Sequence, residues 1–218
     1  ALIPTGIKKL DHILGGGIKN GIITDIHGSA GTGKTQLAIQ IAINSLLKGG
    51  QVLFHDTTGV FRPERMLEMI TTKNYDSNLL QNMQVARITN VSEQKQNLKM
   101  IHKKNSFALL IIDNVAEPFS FEFSKESQLL EKNTTFMKYM HDLSLLAIEN
   151  KIPIIITNGI RNFNNTEKEI LEKPISMFTH VKIKLSKKGK LFNGIVSTAL
   201  SQHEFSYHIS SNGLEDSS

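Results

Sequence analysis

The 218-residue chain has no cysteine and no tryptophan, and only five prolines. The missing thiols exclude disulfides, thiolate zinc sites and cysteine nucleophiles together. No apolar run approaches the length of about eighteen residues that a membrane-crossing helix needs, and no charged-apolar-small leader opens the chain. The expectation is a soluble, intracellular, cytoplasmic protein with no membrane partner. Aromatic residues make up 6%, which leaves little material for base-stacking platforms. The eight histidines are scattered, and His203 and His208 stand at a spacing that does not share a helix face. No internal repeat or low-complexity segment is visible.

What is present reads as one globular domain, residues 1–218. Hydrophobic content of 39% and charged content of 21% are near globular averages, and the length suits one core rather than two. The net charge of +5 and pI near 9.3 point either to a polyanionic partner or to an ordinary solvated surface.

Strand-like and helix-like segments alternate. IITDIH (22–27) reads as a strand, and 34–48 as a helix closed by Gly49-Gly50. A strand over 52–54 precedes a helix opened by Pro63. A strand is expected over 84–88 and a helix from Ser92. FALLIID (107–113) is the most apolar strand, and such a run fits a strand covered on both faces. The longest helix ends near Glu149, before the strand IPIIIT (152–157). The implied fold is α/β, with a mostly parallel central sheet and helices on both faces. Strands over 180–185, 193–200 and 204–209 imply a C-terminal antiparallel extension. The Asn-rich segment 160–178 is expected to be a long mobile loop, and 211–218 a loose tail.

Gly28-Ser29-Ala30-Gly31-Thr32-Gly33-Lys34-Thr35 fits the phosphate-loop pattern GxxxxGK[ST]. Its glycines let backbone N–H groups wrap an anion, and the following helix points its positive end at the phosphates. Lys34 would reach the outer phosphates, and the Thr35 hydroxyl would ligate Mg2+. Asp113 closes the apolar strand, where such folds place a second acid for the metal. The plainer reading of Asp113 is a strand-end carboxylate held by a loop N–H.

PTGIKKLDHILGGGI (4–18), Lys34-Thr35-Gln36-Leu37 and Phe61-Arg62-Pro63-Glu64-Arg65 resemble the RecA-like recombinases of the RadA branch. Ile156-Thr157-Asn158, and Lys173-Pro174 with His180, continue the likeness, which is densest over 4–65 and thins after 160. The resemblance implies a RecA-like P-loop core that uses ATP and Mg2+ in DNA recombination. It places Arg62 against the adenine and Gln36 in the ATP site; an exposed arginine at a helix start is the alternative for Arg62. The chain begins directly at the core, so it most resembles the short RadB-type paralogues of archaea. Self-filament formation is not expected, and a recombinase or another repair protein is the expected partner.

Two positions depart from the family pattern. Its Asp-Thr-Glu-Gly, in which the glutamate activates water, reads Asp56-Thr57-Thr58-Gly59. Its Thr-Asn-Gln, whose glutamine senses the terminal phosphate, reads Thr157-Asn158-Gly159. A threonine hydroxyl is no general base near neutral pH, and losing a base costs roughly 10²–10⁴-fold in rate. Weak or absent hydrolysis follows, unless another group substitutes; Asp56 is a poorly placed substitute.

Lys182, Lys184, Lys187, Lys188 and Lys190, with Arg161, offer a surface for single-stranded DNA. The alternative is a solvated edge hairpin whose lysines discourage aggregation. Phe119, Phe121 and Phe123 alternate, as on a strand face against a partner or in the local core. Three functions fit. One is an ATP-binding accessory factor in recombination and repair; another is a DNA-stimulated ATPase with a different base. The last is a RecA-fold signalling or motor regulator without DNA affinity.

Overall fold

The computed structural model describes residues 2–104, 106–163 and 166–217. A short helix α1 (Lys8–Ile13) precedes strand β1 (Ile23–Gly28) and helix α2 (Lys34–Leu47). The alternation continues through β2 (Val52–Asp56), α3 (Pro63–Thr72), β3 (Met83–Arg87), α4 (Val91–Lys104) and β4 (Leu109–Asp113). Next come α5 (Glu117–Glu122), α6 (Leu129–Asn150), β5 (Ile154–Asn158), β6 (Ile160–Phe163), β7 (Thr166–Glu169) and α7 (Glu172–Phe178). The chain finishes with β8 (Thr179–Lys188), β9 (Leu191–Ser197), β10 (Gln202–Ser210) and β11 (Gly213–Asp216).

Among the described residues a 9-stranded sheet runs in the order β11-β10-β9-β8-β1-β5-β4-β2-β3. From β8 to β3 the pairings are parallel, and β9, β10 and β11 add antiparallel pairings. The expected class, mostly parallel with an antiparallel extension, is therefore what the chain adopts. Every residue of β4 is buried, because apolar side chains from helices on both faces cover it. Leu37, Ile41, Phe54, Phe205 and Leu214 belong to the core on one face. Leu98, Phe119, Phe136, Leu143 and Ile175 belong to the core on the other.

The opening motif has a local physical cause. The Asp11 carboxylate accepts from the Thr5 amide at 2.6 Å, the Thr5 hydroxyl at 2.8 Å and the Gly6 amide at 3.2 Å. One side chain thus closes the turn that begins the domain. Gln40, buried on α2, donates to the Thr5 and Leu214 carbonyls and accepts from the Leu214 amide. The two ends of the chain are joined through that carboxamide.

Three local expectations change. Residues 160–178 hold an antiparallel hairpin, β6 with β7, followed by α7; residues 164 and 165 lie outside the described ones. These short segments are hidden by their polarity, since among the described residues of the hairpin only Glu169, on β7, is buried. The end of the chain is likewise not loose up to residue 217, because β11 pairs with β10. Finally, Phe119 and Phe121 lie on helix α5, with Pro118 in its first turn. A period of two scatters side chains around a helix, so Phe119 is buried while Phe121 is 84% exposed.

Candidate functional site

β1, β2 and β4 end at the same edge of the sheet, and the loop from Gly28 to Gly33 leaves β1 there to enter α2. That is the carboxyl edge at which open α/β sheets bind ligands. Gly28 cannot carry a side chain, since a Cβ would lie 2.1 Å from the Leu185 carbonyl oxygen on β8. Gly33 caps α2 in the left-handed region, at φ 93°. The Thr32 hydroxyl donates to the Ser29 carbonyl at 2.9 Å, and the Tyr207 hydroxyl on β10 donates to the Thr32 carbonyl at 2.6 Å. The antiparallel extension therefore buttresses the loop. Tyr207 had no signal in the sequence.

The Lys34 ammonium donates to the Gly28 carbonyl at 2.9 Å and to the Ser29 carbonyl at 2.8 Å. Burial lowers its pKa, opposed by the charge of Asp113. The Asp113 carboxylate accepts from the Thr35 hydroxyl at 2.8 and 3.1 Å and from the Thr157 hydroxyl at 2.5 Å. Burial raises the Asp113 pKa, while the two threonine hydrogen bonds work against it. Thr157 in turn accepts from the Asn114 amide at 2.8 Å, which aims its hydroxyl. Thr35 and Asp113, 78 residues apart, are thus brought into contact. Asp113 is held by hydroxyls rather than by a loop N–H.

A cleft of about 250 Å³ opens beside this group, lined by Gly31, Gly33, Lys34, Thr35, Gln36 and Ile209. A loop whose Gly28 has no room for a Cβ, a partly buried ammonium and a hydroxyl-carboxylate pair fit a phosphorylated nucleotide with Mg2+. Ser29 is half-buried and Ala30 exposed in the same loop. Arg62 is exposed at the N-cap of α3. Arg65, which the sequence offered only as part of the resemblance over 61–65, reaches the Gln36 side chain at 3.2 Å and the Ser210 carbonyl at 2.5 Å. It ties α2, α3 and the end of β10 together around the cleft.

The next strand ends differently. The Asp56 carboxylate accepts from the Gly59 amide at 2.8 Å, the Thr58 amide at 3.2 Å and the Phe61 amide at 3.2 Å. The Thr58 hydroxyl also points to Asp56, at 3.3 Å. Thr57 is buried, with its hydroxyl on the Asp113 and Asn114 carbonyls. Asp56 is therefore engaged in shaping its own turn. Gly159 follows β5 and has room for a side chain, since a Cβ would meet only Ile170 at 3.4 Å.

The basic residues divide. Lys182 is paired with Glu169 and donates to the Ser176 hydroxyl at 3.0 Å. Lys184 pairs with Glu167 at 3.2 Å. These two share a strand face, as alternation requires, but the hairpin β6–β7 presents its acids to that face. Lys187, Lys188 and Lys190 are exposed at the β8–β9 turn, with the Lys187 ammonium 5.1 Å from the Phe192 ring centroid. Arg161 is exposed on β6.

Strand order, loop and acid edge together define a RecA-like P-loop α/β core. The chain matches the Rad51 family over residues 1–217 and belongs to it. It is 30% identical over 226 residues to the DNA repair and recombination protein RadB of Thermococcus sibiricus, covering 99% of this chain and 95% of that protein. RadB of Thermococcus onnurineus is 32% identical over 181 residues, with 82% of this chain and 76% of that protein covered. The DNA repair and recombination protein RadA of Metallosphaera sedula is 31% identical over 169 residues, which is 72% of this chain and 52% of RadA. The chain is thus a RadB-type paralogue within the family. No helix among the described residues is long and apolar enough to cross a membrane.

Proposed function

We propose that this chain binds ATP with Mg2+ and acts as an accessory factor in homologous recombination and DNA repair, with slow or no hydrolysis. The observation that carries the proposal is the contrast at one sheet edge. Lys34, Thr35 and Asp113 are assembled, whereas Thr58 and Gly159 occupy the positions that the resemblance assigns to a base and a phosphate sensor. Backbone amides from Gly28 to Thr35 and the Lys34 ammonium would hold the phosphates. Thr35 and Asp113 would hold Mg2+, whose chemistry is to neutralise phosphate charge. Gln36 lines the cleft, and Arg62 would lie against the adenine. With Asp56 committed to three backbone amides, no carboxylate at that turn is free to take a proton from water.

The names of the RadB and RadA relatives support a role beside a recombinase. The exposed lysines 187, 188 and 190, with Arg161, support contact with single-stranded DNA through its phosphates; Lys182 and Lys184 serve the fold instead. The test is ATP turnover by the purified chain with Mg2+, with and without single-stranded DNA, using Lys34→Ala as blank. Turnover equal to the blank, alongside measurable ATP binding, is expected. DNA-stimulated turnover well above the blank would overturn the accessory reading in favour of an ATPase with another base.

A further inference from the structure

Behind the phosphate loop lies a polar cluster that nucleotide binding does not use. Asp25 and His27 stand on β1, the strand that ends in Gly28; Glu169 stands at the end of β7, and Lys182 on β8. Asp25 is fully buried, and Glu169 is 8% exposed. One Asp25 oxygen lies 2.8 Å from His27 Nδ1 and 3.6 Å from the Lys182 ammonium. Neither Asp25 oxygen receives a well-directed hydrogen bond. Lys182 also meets Glu169 in an ion pair. Ligand atoms of Asp25, His27 and Glu169 fall within 4.8 Å of one another.

The charges do not balance. Two buried carboxylates face a single ammonium, and His27 adds charge only if it carries the cluster's extra proton. Nearby groups do not repair the deficit. Glu172 on α7 adds further negative charge near Lys182, and Lys184 is matched by Glu167. Asn158 on β5 and Ser176 on α7 contribute hydrogen bonds without charge. Lys132 on α6 faces Arg161. Uncompensated buried charge is expensive, and one proton removes it. Burial and the neighbouring Asp25 push the Glu169 carboxyl up to about 7, as that deficit requires.

The same cluster is also what fastens the hairpin. Among the described residues, β6 and β7 pair as strands only with each other. Their base is fixed by the Asn158 carboxamide, which donates to Glu169 at 2.9 Å and to the Ile170 carbonyl at 2.6 Å. The ion pairs of Glu169 with Lys182 and of Glu167 with Lys184 add to the attachment. We infer that Asp25, His27, Glu169 and Lys182 form a one-proton clamp that holds the β6–β7 hairpin against the strand leading into the phosphate loop. A released Glu169 in water returns to the ordinary carboxylate range, so the clamped state binds the proton more tightly. Proton uptake therefore favours the clamped hairpin, and raising the pH through 7 favours release. The ammonium of Lys182 already lies beside both carboxylates, so the missing cation is one unit charge rather than a divalent metal. The inference does not depend on whether ATP is hydrolysed.

The test is amide hydrogen exchange of the full chain, read at the hairpin and at Ile170, whose amide donates to the Gly159 carbonyl at 3.1 Å. After correction for intrinsic rates, protection should fall roughly tenfold or more between about pH 5.5 and about pH 8.5. Glu169→Gln, which keeps the shape without the charge, should keep acid-level protection at both values. Lys182→Met should expose the hairpin at both. Wild-type protection independent of pH, or an unchanged pH slope in Glu169→Gln, would overturn the clamp. Full protection restored at high pH by zinc in the wild type, but not in Asp25→Asn, would show a metal in the proton's place and overturn it as well.

Discussion

At the ends of β1 and β4, polar side chains converge: Lys34 folds onto its own loop, and hydroxyls from α2 and β5 reach Asp113 across long sequence distances. At the turn after β2 and the position after β5, the arrangement differs. Asp56 caps the turn that follows it, and Gly159 brings no side chain. The comparison separates holding a nucleotide from splitting it. On the proposed reading, holding needs main-chain N–H groups, one ammonium and a carboxylate for the metal, and the fold brings Lys34, Thr35 and Asp113 together for it. Splitting needs a carboxylate free to accept a proton, and the only one at the β2 turn is occupied by backbone amides.

The largest effect expected on this comparison comes from the intact side. Lys34→Ala should weaken ATP binding about a hundredfold or more, the scale of losing strong charge-assisted contacts. Titration with a fluorescent ATP analogue measures it, and unchanged affinity would break the assignment of the loop. Next comes restoring the eroded side. Thr58→Glu with Gly159→Gln should raise turnover by roughly 10²-fold, the lower range for regaining a general base. The space beside Gly159 admits the side chain. No gain in steady-state hydrolysis would mean that the two edges differ in more than these two residues.

The smallest effect concerns the strand beneath the eroded turn. His55 on β2 is fully buried, with no hydrogen-bond partner on either ring nitrogen, and burial lowers its pKa to about 4. The unfolded chain takes up a proton near pH 6.5 that the folded chain refuses until about pH 4. Stability should therefore fall across that window as the pH is lowered, by at most about 3 kcal/mol from this residue. Urea unfolding of His55→Leu against pH should show a shallower acid slope. An identical slope would assign the acid sensitivity to other groups.

Much of this was legible in the residues. The spacing of Gly28, Gly33 and Lys34 marks a phosphate loop because only those residue types combine backbone freedom with a reachable ammonium. FALLIID marks a covered strand because no amphipathic surface element could tolerate so continuous an apolar run. The segment after residue 159 was harder. Its strands are short and polar, so neither period two nor period 3.6 stands out, and Glu169 reads as one surface acid among several. The phenylalanines of α5 misled through their alternation, which Pro118 and the turn at Asn114 override.

By itself, the sequence determined the local and chemical facts: the alternation of strands and helices, the loop, the acid at the end of β4 and the two replaced positions. These are set by residue type and near-neighbour spacing, which act along the chain. Only the tertiary structure decided that Thr157 holds Asp113, that Tyr207 supports the loop, that Asp56 is spent on its turn and that Lys182 pairs with Glu169. Each of those depends on which strands lie side by side. Burial then decides whether a charge needs a partner, and that is a property of the packed sheet rather than of any one segment.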